Sequence, residues 1–397
     1  MLYKIKIFGI VQGVGFRPFI KNLADSFFIS GTVANKGSYV EIFAQTDEFI
    51  LKNFIDSIKK FSPPRSNILN INVQKIFSEK IFTNFEIIDS QHEIGDIFIS
   101  PDIGICDECA AELFDKNNRR YLHPFINCTN CGPRLTILEK MPYDRERTSM
   151  KNFKMCKKCE EEYFSTISRR FDAQPICCNE CGPKLKLRIK NEELRISDGE
   201  IIKKVRKIIF EGGIVAIKGI GGFHLACDAT NFSAVERLRK LKNRPSKPFA
   251  VMFKNISEVE RECYLTENQK KFLESPAKPI ILLEKKLNEI AENVAPGINK
   301  IGVILPYTPL HMLIFDFPDE IKNFPKKLVM TSGNLSGNPI EIDEKNLEKI
   351  CEKILTHDRK ILMRADDSVM EFIDDEPSMI RRSRGYAPFP IFLEKKS

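Results

Sequence analysis

Glycine and proline are scarce in this sequence, and long apolar runs are absent. Its 397 residues include only 20 glycines and 22 prolines, whereas 42% are hydrophobic. This composition excludes fibrous and low-complexity proteins and predicts a folded, soluble chain of two or three domains. No stretch approaches the roughly 20 apolar residues that a bilayer-spanning helix needs. Residues 1–7 alternate charged and apolar side chains instead of forming a signal peptide, so we expect no membrane partner and a cytoplasmic location.

A large excess of one charge is also missing. The 62 basic and 54 acidic residues leave a net charge of +8, most of it after residue 186. A solvated, lysine-rich surface explains so mild an excess. Weak binding of RNA or polyphosphate is the alternative.

Cysteine, in contrast, is abundant and regularly spaced. Eight of the 12 cysteines form four Cys-x-x-Cys pairs, arranged as two copies of C-x2-C-x18-C-x2-C at an offset of 50 residues. Arg119-Arg120 recurs as Arg169-Arg170 at the same offset. In a reducing compartment this spacing predicts two closed zinc sites of four cysteines each, which are structural because no position remains for substrate water. The predicted ligands are Cys106, Cys109, Cys128, Cys131, Cys156, Cys159, Cys178 and Cys181.

Several other candidate ligands and thiols belong to neither predicted site. His123 is not expected to bind zinc because its counterpart in the second copy is Ala173. Four cysteines lack partners at ligand spacing and are interpreted as free thiols. They are Cys177, Cys227, Cys263 and Cys351. The cysteine segment has nearly balanced charge, which the thiolates would make acidic, so it is a poor candidate for a DNA clamp.

The first 92 residues have the pattern of a small α+β domain. Alternating and helical periodicities predict the order βαββαβ, the ferredoxin-like arrangement. The strands of this order are residues 2–8, 31–35, 39–44 and 68–77, the helices are 16–28 and 49–58, and a further strand is predicted at 82–88. The first strand and helix are joined by a glycine-rich loop, a common place for backbone N–H groups to bind an anion.

The sequence of this loop resembles the signature of the acylphosphatase family. The resemblance rests on Gln12-Gly13-Val14-Gly15-Phe16-Arg17, on residues 31–35 and on residues 40–42. It implies that Gln12 to Phe16 form a phosphate loop, that Arg17 holds the phosphate and that Asn35 orients the attacking water. An acyl phosphate needs charge neutralisation and a positioned water more than a nucleophilic side chain.

Residues 198–390 have an α/β pattern with one mixed sheet, preceded by a zinc region at 100–188 and by a charged stretch, 184–193, interpreted as a linker. The predicted strands are 214–218, 249–253, 279–283, 328–331 and 379–382. The predicted helices are 201–209, 233–241, 267–273 and 343–353. Glycine loops, hydroxyl groups and cations follow several of these strands, as in nucleotide-polyphosphate sites.

Taken in order, these motifs resemble the YrdC/Sua5-like family, which makes carbamoyl-type adenylates. Lys242 and Arg244 match its Lys-x-Arg, and Ser332 and Asn334 match its Ser-x-Asn. The resemblance implies an ATP site with Mg²⁺. Its candidate residues are Lys218, His224, Lys242, Arg244, Ser332, Asn334 and Arg364. Glu371 stands where the family is expected to have an arginine, so no phosphate contact is expected from it.

An acylphosphatase, twin zinc motifs and a YrdC-like domain in this order resemble the HypF carbamoyltransferases, which act in the maturation of NiFe hydrogenases. The resemblance implies that carbamoyl phosphate is hydrolysed, that carbamate and ATP form carbamoyl-AMP, and that the carbamoyl group passes to a cysteine of a HypE-type partner. Such proteins are about twice as long, and their last transfer domain has no counterpart here. Either the sequence is a fragment or a separate polypeptide performs the transfer. The alternatives are a threonylcarbamoyl-AMP synthase for tRNA modification and a zinc scaffold that binds double-stranded RNA.

Overall fold

The computed structural model describes residues 1–37, 39–63, 66–77, 81–88, 99–190, 192–286 and 289–391. Within these ranges, every helix is too short or too polar to cross a bilayer. The predicted end of the first module at residue 92 lies outside the described residues.

The N-terminal module is a five-stranded sheet covered by two helices. Its strands are β1 (Leu2–Ile10), β2 (Ser30–Lys36), β3 (Tyr39–Gln45), β4 (Asn67–Ile76) and β5 (Phe85–Ile87), and its helices are α1 (Phe16–Ser26) and α2 (Glu48–Phe61). The strand order is β4-β1-β3-β2-β5. β2 and β3 are antiparallel, whereas β5 runs parallel to β2. The ferredoxin-like prediction is confirmed.

The finger region, residues 99–184, contains little regular structure and repeats itself. Its helices α3 (Asp107–Phe114) and α4 (Lys157–Phe164) lie 50 residues apart and each begin just after the first cysteine of a repeat. Leu122 and Asp172 occupy the same turn in the two copies, with φ angles of 54° and 56°. The repeat seen in the sequence is therefore also a repeat of backbone conformation.

The C-terminal module is built on an eleven-stranded mixed sheet. Its first strands are β6 (Leu185–Ile189), β7 (Glu192–Leu194), β8 (Val215–Lys218), β9 (Phe223–Asp228) and β10 (Ala250–Phe253). The others are β11 (Ile280–Glu284), β12 (Lys300–Ile304), β13 (Lys327–Ser332), β14 (Lys353–His357), β15 (Val369–Ile373) and β16 (Glu376–Arg381). Their order is β16-β15-β11-β12-β10-β13-β9-β8-β14-β6-β7.

Helices cover this sheet and begin at ordinary capping residues. They are α5 (Asp198–Phe210), α6 (Phe232–Lys242), α7 (Ile256–Glu262), α8 (Glu267–Glu274), α9 (Pro309–Phe315) and α10 (Glu344–Leu347). Ser197 and Thr266 accept hydrogen bonds from backbone N–H groups at the starts of α5 and α8. Gly212 adopts a φ of 79° just after α5, a left-handed conformation that is common where helices end.

Two sequence-based predictions for this module are wrong. The stretch 184–193 is not a linker, because Leu187 is fully buried and β6 pairs antiparallel with β14. The predicted helix 343–353 is reduced to the four residues of α10, because residues 348–350 form a turn and Lys353 begins β14 between β8 and β6.

One apolar core joins the finger region to the C-terminal module. Ile105, Phe125 and Ile126 of the fingers belong to the same buried cluster as Val215 and Leu355 of the sheet. Burial of such side chains contributes roughly 1.5–3 kcal/mol each. The two regions therefore form a continuous body.

Candidate functional site

The predicted phosphate loop connects β1 to α1. Gly13 and Gly15 have φ angles of 70° and 78°, a left-handed conformation that glycine adopts without strain. None of the described side chains caps the start of α1, so its first N–H groups face the loop. Most of the predicted loop residues line a cavity of about 20 Å³. Val14 is the exception, because its side chain packs in the core of the N-terminal module.

The structure brings the two predicted catalytic residues of this module together. With its side-chain oxygen facing the guanidinium, Asn35 accepts hydrogen bonds from Arg17 Nε at 3.3 Å and from Nη1 at 3.2 Å. Both residues are buried beside the loop. Arg17 supplies a positive charge that suits an anion, and Asn35 retains its amide NH2 group as a hydrogen-bond donor.

Three residues of the finger region complete this site, and the sequence analysis missed them. Asp144 Oδ1 lies 2.8 Å from Arg17 Nη1, and Asp172 Oδ2 lies 3.0 Å from Arg17 Nε. Burial alone would lower the pKa of Arg17, but the two carboxylates outweigh it and raise that pKa. Arg134 Nε donates to the carbonyl of Gly13 at 2.7 Å. No local pattern marks these residues, because they lie more than 100 positions from Arg17.

The eight predicted zinc ligands form two separate clusters of four sulfurs. In each cluster the Sγ atoms all lie within 4.8 Å of one another. Neighbouring sulfurs are 3.7 and 3.8 Å apart, for example Cys106 to Cys128 and Cys128 to Cys131. Tetrahedral zinc with bonds of about 2.3 Å places its sulfurs roughly 3.8 Å apart, so both clusters fit zinc. No further ligand is needed, which agrees with a structural role.

The remaining histidine and cysteines of interest lie outside these clusters. His123 contacts Asn179 Oδ1 at 2.9 Å and Cys177 Sγ at 3.3 Å. Burial raises the pKa of the Cys177 and Cys263 thiols to about 12. Such thiols are inert packing groups.

The predicted nucleotide residues of the C-terminal module include one tight group. Lys242, at the end of α6, donates from Nζ to the carbonyl oxygen of Asn334 at 2.7 Å and to its side-chain oxygen at 3.2 Å. It also donates to the carbonyl of Ser332. Burial, reinforced by the nearby Arg244, lowers the pKa of Lys242 to about 7. A buried ammonium beside a hydroxyl and an amide suits a phosphate oxygen.

Two further predicted residues lie on the neighbouring strands. His224 in β9 stands directly opposite Ser332 of β13. Lys218 ends β8, and its Nζ donates to the carbonyl of His357 at 2.9 Å.

The other three positions of interest are less closely associated. Arg244 follows α6 and donates from Nη2 to the carbonyl of Pro248 at 2.6 Å. Arg364 is exposed. Glu371 lies in β15 with its carboxylate 3.9 Å from Lys300 Nζ.

The sequence analysis also missed a buried polar column, which consists of His224, Asp367, Arg384 and Tyr307. His224 Nε2 lies 3.0 Å from Asp367 Oδ2, and Arg384 Nε donates to Asp367 Oδ1 at 2.7 Å. The guanidinium carbon of Arg384 lies 3.5 Å from the centre of the Tyr307 ring. Burial alone would raise the pKa of Asp367, but Arg384 and His224 hold it well below its usual value. This column fixes the position of the His224 ring.

A small cavity lies where the finger region meets the C-terminal module. Its volume is about 30 Å³, and its walls include Phe125 and Gly132 on one side and Lys218, Tyr307 and His357 on the other. Burial lowers the pKa of His357 well below its usual value, so its ring is neutral. The cavity has polar atoms and lies next to the predicted nucleotide residue Lys218.

Comparisons with known proteins agree with this architecture. The acylphosphatase family matches residues 3–87, the HypF finger matches residues 105–138 and 155–188, and the Sua5/YciO/YrdC family, described as "Telomere recombination", matches residues 207–383. An acylphosphatase from Staphylococcus aureus is 36% identical over 84 residues, which cover 21% of this chain and 94% of that protein.

Several relatives match nearly the whole chain. A carbamoyltransferase HypF from Synechocystis is 46% identical over 396 residues, which cover 98% of this chain and 51% of that protein. Over nearly its whole length, the chain is similar to one half of HypF. A crystal structure of full-length HypF, described as its phosphate- and nucleotide-bound form, superposes with a TM-score of 0.92 at 44% identity and covers 99% of this chain and 51% of that one. The chain thus spans about half the length of the HypF relatives that it matches.

Proposed function

We propose that this chain converts carbamoyl phosphate and ATP into carbamoyl-AMP for hydrogenase maturation. The observation that carries the proposal is the contact between Arg17 and Asn35 at the phosphate loop, in a chain that is 46% identical to a HypF carbamoyltransferase. A HypF structure that superposes on nearly the whole chain is described as phosphate- and nucleotide-bound, which supports binding of both kinds of ligand.

In the first step, the N-terminal module hydrolyses carbamoyl phosphate. Arg17 and the N–H groups at the start of α1 hold the phosphoryl oxygens, and the amide of Asn35 positions a water molecule. The water oxygen bonds to phosphorus as the bond from phosphorus to the carbamate oxygen breaks. The products are inorganic phosphate and carbamate, and the proton of the water leaves with them.

In the second step, the C-terminal module activates carbamate. A carbamate oxygen attacks the α-phosphorus of ATP, which forms carbamoyl-AMP and releases diphosphate. Lys242, Ser332 and Asn334 are the residues we assign to the ATP phosphates, because the ammonium, hydroxyl and amide lie together in a buried position. Mg²⁺ would accompany ATP and neutralise phosphate charge.

The fingers supply a rigid connection between the two sites. Two structural zinc ions would fold a region that contains little regular structure, since zinc binding contributes roughly 10–16 kcal/mol in small domains. The shared core and the cavity of about 30 Å³ beside Lys218 support a protected route for carbamate, which decomposes in water. A HypE-type protein in the cytoplasm is the proposed acceptor of the carbamoyl group.

The test is a product analysis with carbamoyl phosphate, ATP and Mg²⁺, in which phosphate, AMP and diphosphate are measured together. The wild-type chain is compared with Arg17→Ala and Lys242→Ala. We expect all three products from the wild type. Arg17→Ala should lose all of them, whereas Lys242→Ala should release phosphate without AMP.

Each other outcome separates one part of the proposal from the rest. Phosphate release without AMP in the wild type would mean that this chain is an acylphosphatase whose second half needs a further component. AMP formation that depends on threonine and bicarbonate would favour a threonylcarbamoyl-AMP synthase. Unchanged AMP formation in Lys242→Ala would show that the assigned role of Lys242 is wrong.

A further inference from the structure

Two carboxylates of the finger region form ion pairs with Arg17, the residue that we assign to phosphate binding. Asp144 and Asp172 contact different nitrogens of Arg17, at 2.8 and 3.0 Å, and their side chains are 14% and 11% exposed. The pair therefore forms a nearly buried network with Arg17. A phosphoryl group that binds Arg17 must share the guanidinium with these two carboxylates or displace them.

The carboxylate of Asp172 is not needed for the turn on which it stands. Leu122 occupies the equivalent turn of the first finger at almost the same φ, 54° against 56°. The backbone bonds are equivalent too, because Leu122 N donates to Leu113 O at 2.8 Å and Asp172 N donates to Tyr163 O at 2.9 Å. Of these two equivalent positions, only the one in the second finger carries an aspartate. The Asp172 carboxylate there contacts Arg17 and also accepts a hydrogen bond from Gln174 Nε2 at 2.7 Å.

The charge at the loop leads to the same conclusion. Arg17 and Asp172 line both the cavity of about 20 Å³ over the loop and a larger cavity of about 430 Å³, which Asp144 also lines. The charged lining of the smaller cavity consists of Arg17 and Arg134 on one side and Asp172 on the other, with Asp144 also bound to Arg17. Two cations and two carboxylates balance each other, so a phosphate dianion meets no net positive charge.

We propose that Asp144 and Asp172 are internal anions that compete with phosphate for Arg17. The finger region thereby sets the phosphate affinity of the acylphosphatase site, and phosphate enters when the carboxylates release the guanidinium. This inference rests on the proposed function, because it assumes that Arg17 is the phosphate-binding cation.

The experiment measures the affinity of inorganic phosphate by titration calorimetry on the full chain loaded with zinc. The variants are Asp172→Asn, Asp172→Leu and Asp144→Asn, compared with the wild type. Asp172→Leu is compatible with the backbone of this turn, because Leu122 has nearly the same φ in the first finger. We expect each variant to bind phosphate at least fivefold more tightly, since removal of a nearby negative charge favours an anion.

Two controls separate the inference from the proposed function. Asp25→Asn removes a carboxylate from α1 that pairs with Lys21, so it should leave phosphate affinity unchanged. Arg17→Ala should abolish phosphate binding. If it does so but the Asp144 and Asp172 variants bind phosphate equally or more weakly, the competition is refuted and the proposed function stands. If Arg17→Ala binds phosphate like the wild type, both are refuted.

Discussion

Arg119 of the first finger donates from Nη2 to the sulfur of Cys159 in the second finger, at 3.2 Å. The relationship is reciprocal, because Arg169 of the second finger donates to Cys109 of the first at 3.6 Å. Glu162 binds Arg119 across the same interface at 2.8 Å. The arginine pairs that repeat at an offset of 50 residues thus connect each finger to the cysteine cluster of the other.

This exchange predicts a crossed effect on metal retention. Arg119→Ala should speed zinc loss from the second cluster, because a charge-assisted hydrogen bond to a thiolate is worth about 1–2 kcal/mol at a partly exposed site. The chain would be treated with a chelator, and exposed cysteines would be alkylated and mapped by mass spectrometry. Arg169→Ala is the matched control and should expose the first cluster instead. Exposure of Cys106 and Cys109 before Cys156 in Arg119→Ala would contradict the prediction.

Asn35 should matter for the rate of acyl phosphate hydrolysis more than for phosphate binding. Asn35→Ala removes the amide that would position water, and loss of one such group costs about 10²-fold in kcat. Benzoyl phosphate hydrolysis and phosphate inhibition would measure the two effects separately. Asn72→Ala, on the exposed face of β4, is the control. A variant with normal kcat would exclude Asn35 from the reaction.

The lowered pKa of Lys242 predicts pH-dependent ATP binding. With a pKa of about 7, Lys242 is mostly charged at pH 6 and mostly neutral at pH 8.5. Only the charged form attracts phosphate, so ATP affinity should fall several-fold across this range. Fluorescence titration of the wild type and of Lys242→Met would isolate the effect, because the variant lacks this titration. Lys240→Met, an exposed position on the same helix, should behave like the wild type. Equal pH profiles for all three proteins would contradict the assignment.

The column behind His224 should contribute strongly to stability. Asp367→Asn leaves Arg384 buried without the carboxylate that it pairs with, and breaking a buried pair costs about 3–5 kcal/mol. Urea unfolding would measure this loss. The neighbouring Asp366 is a matched control, since its carboxylate is 31% exposed and lies 3.8 Å from Arg381. Asp366→Asn should change the free energy of unfolding by less than about 1 kcal/mol. Similar losses in the free energy of unfolding for both variants would show that buried Asp367 contributes no more to stability than the more exposed Asp366.

Local sequence patterns were sufficient to predict most of the helices and strands. The alternation in β1 and β3 and the helical periodicity of α1 are properties of neighbouring residues, so they could be recognised without any contacts. The stretch 184–193 shows where this reasoning failed. Leu185, Leu187 and Ile189 alternate with charged residues, which is a strand signal, but the high charge suggested a linker. Pairing with β14, more than 160 residues away, decides that it is a strand.

The site itself divides in the same way. By itself, the sequence determined the two cysteine clusters, because metal-ligand spacing is a local feature. The phosphate loop and the roles of Arg17 and Asn35 were predicted by resemblance to a local motif. Only the tertiary structure decided that Asp144 and Asp172 bind Arg17, that the fingers exchange their arginines, and that Asp367 holds His224. These contacts join residues 127 or more positions apart, as with Arg17 and Asp144, or lie between repeats, and no local pattern encodes which distant charges will meet once the cores are packed.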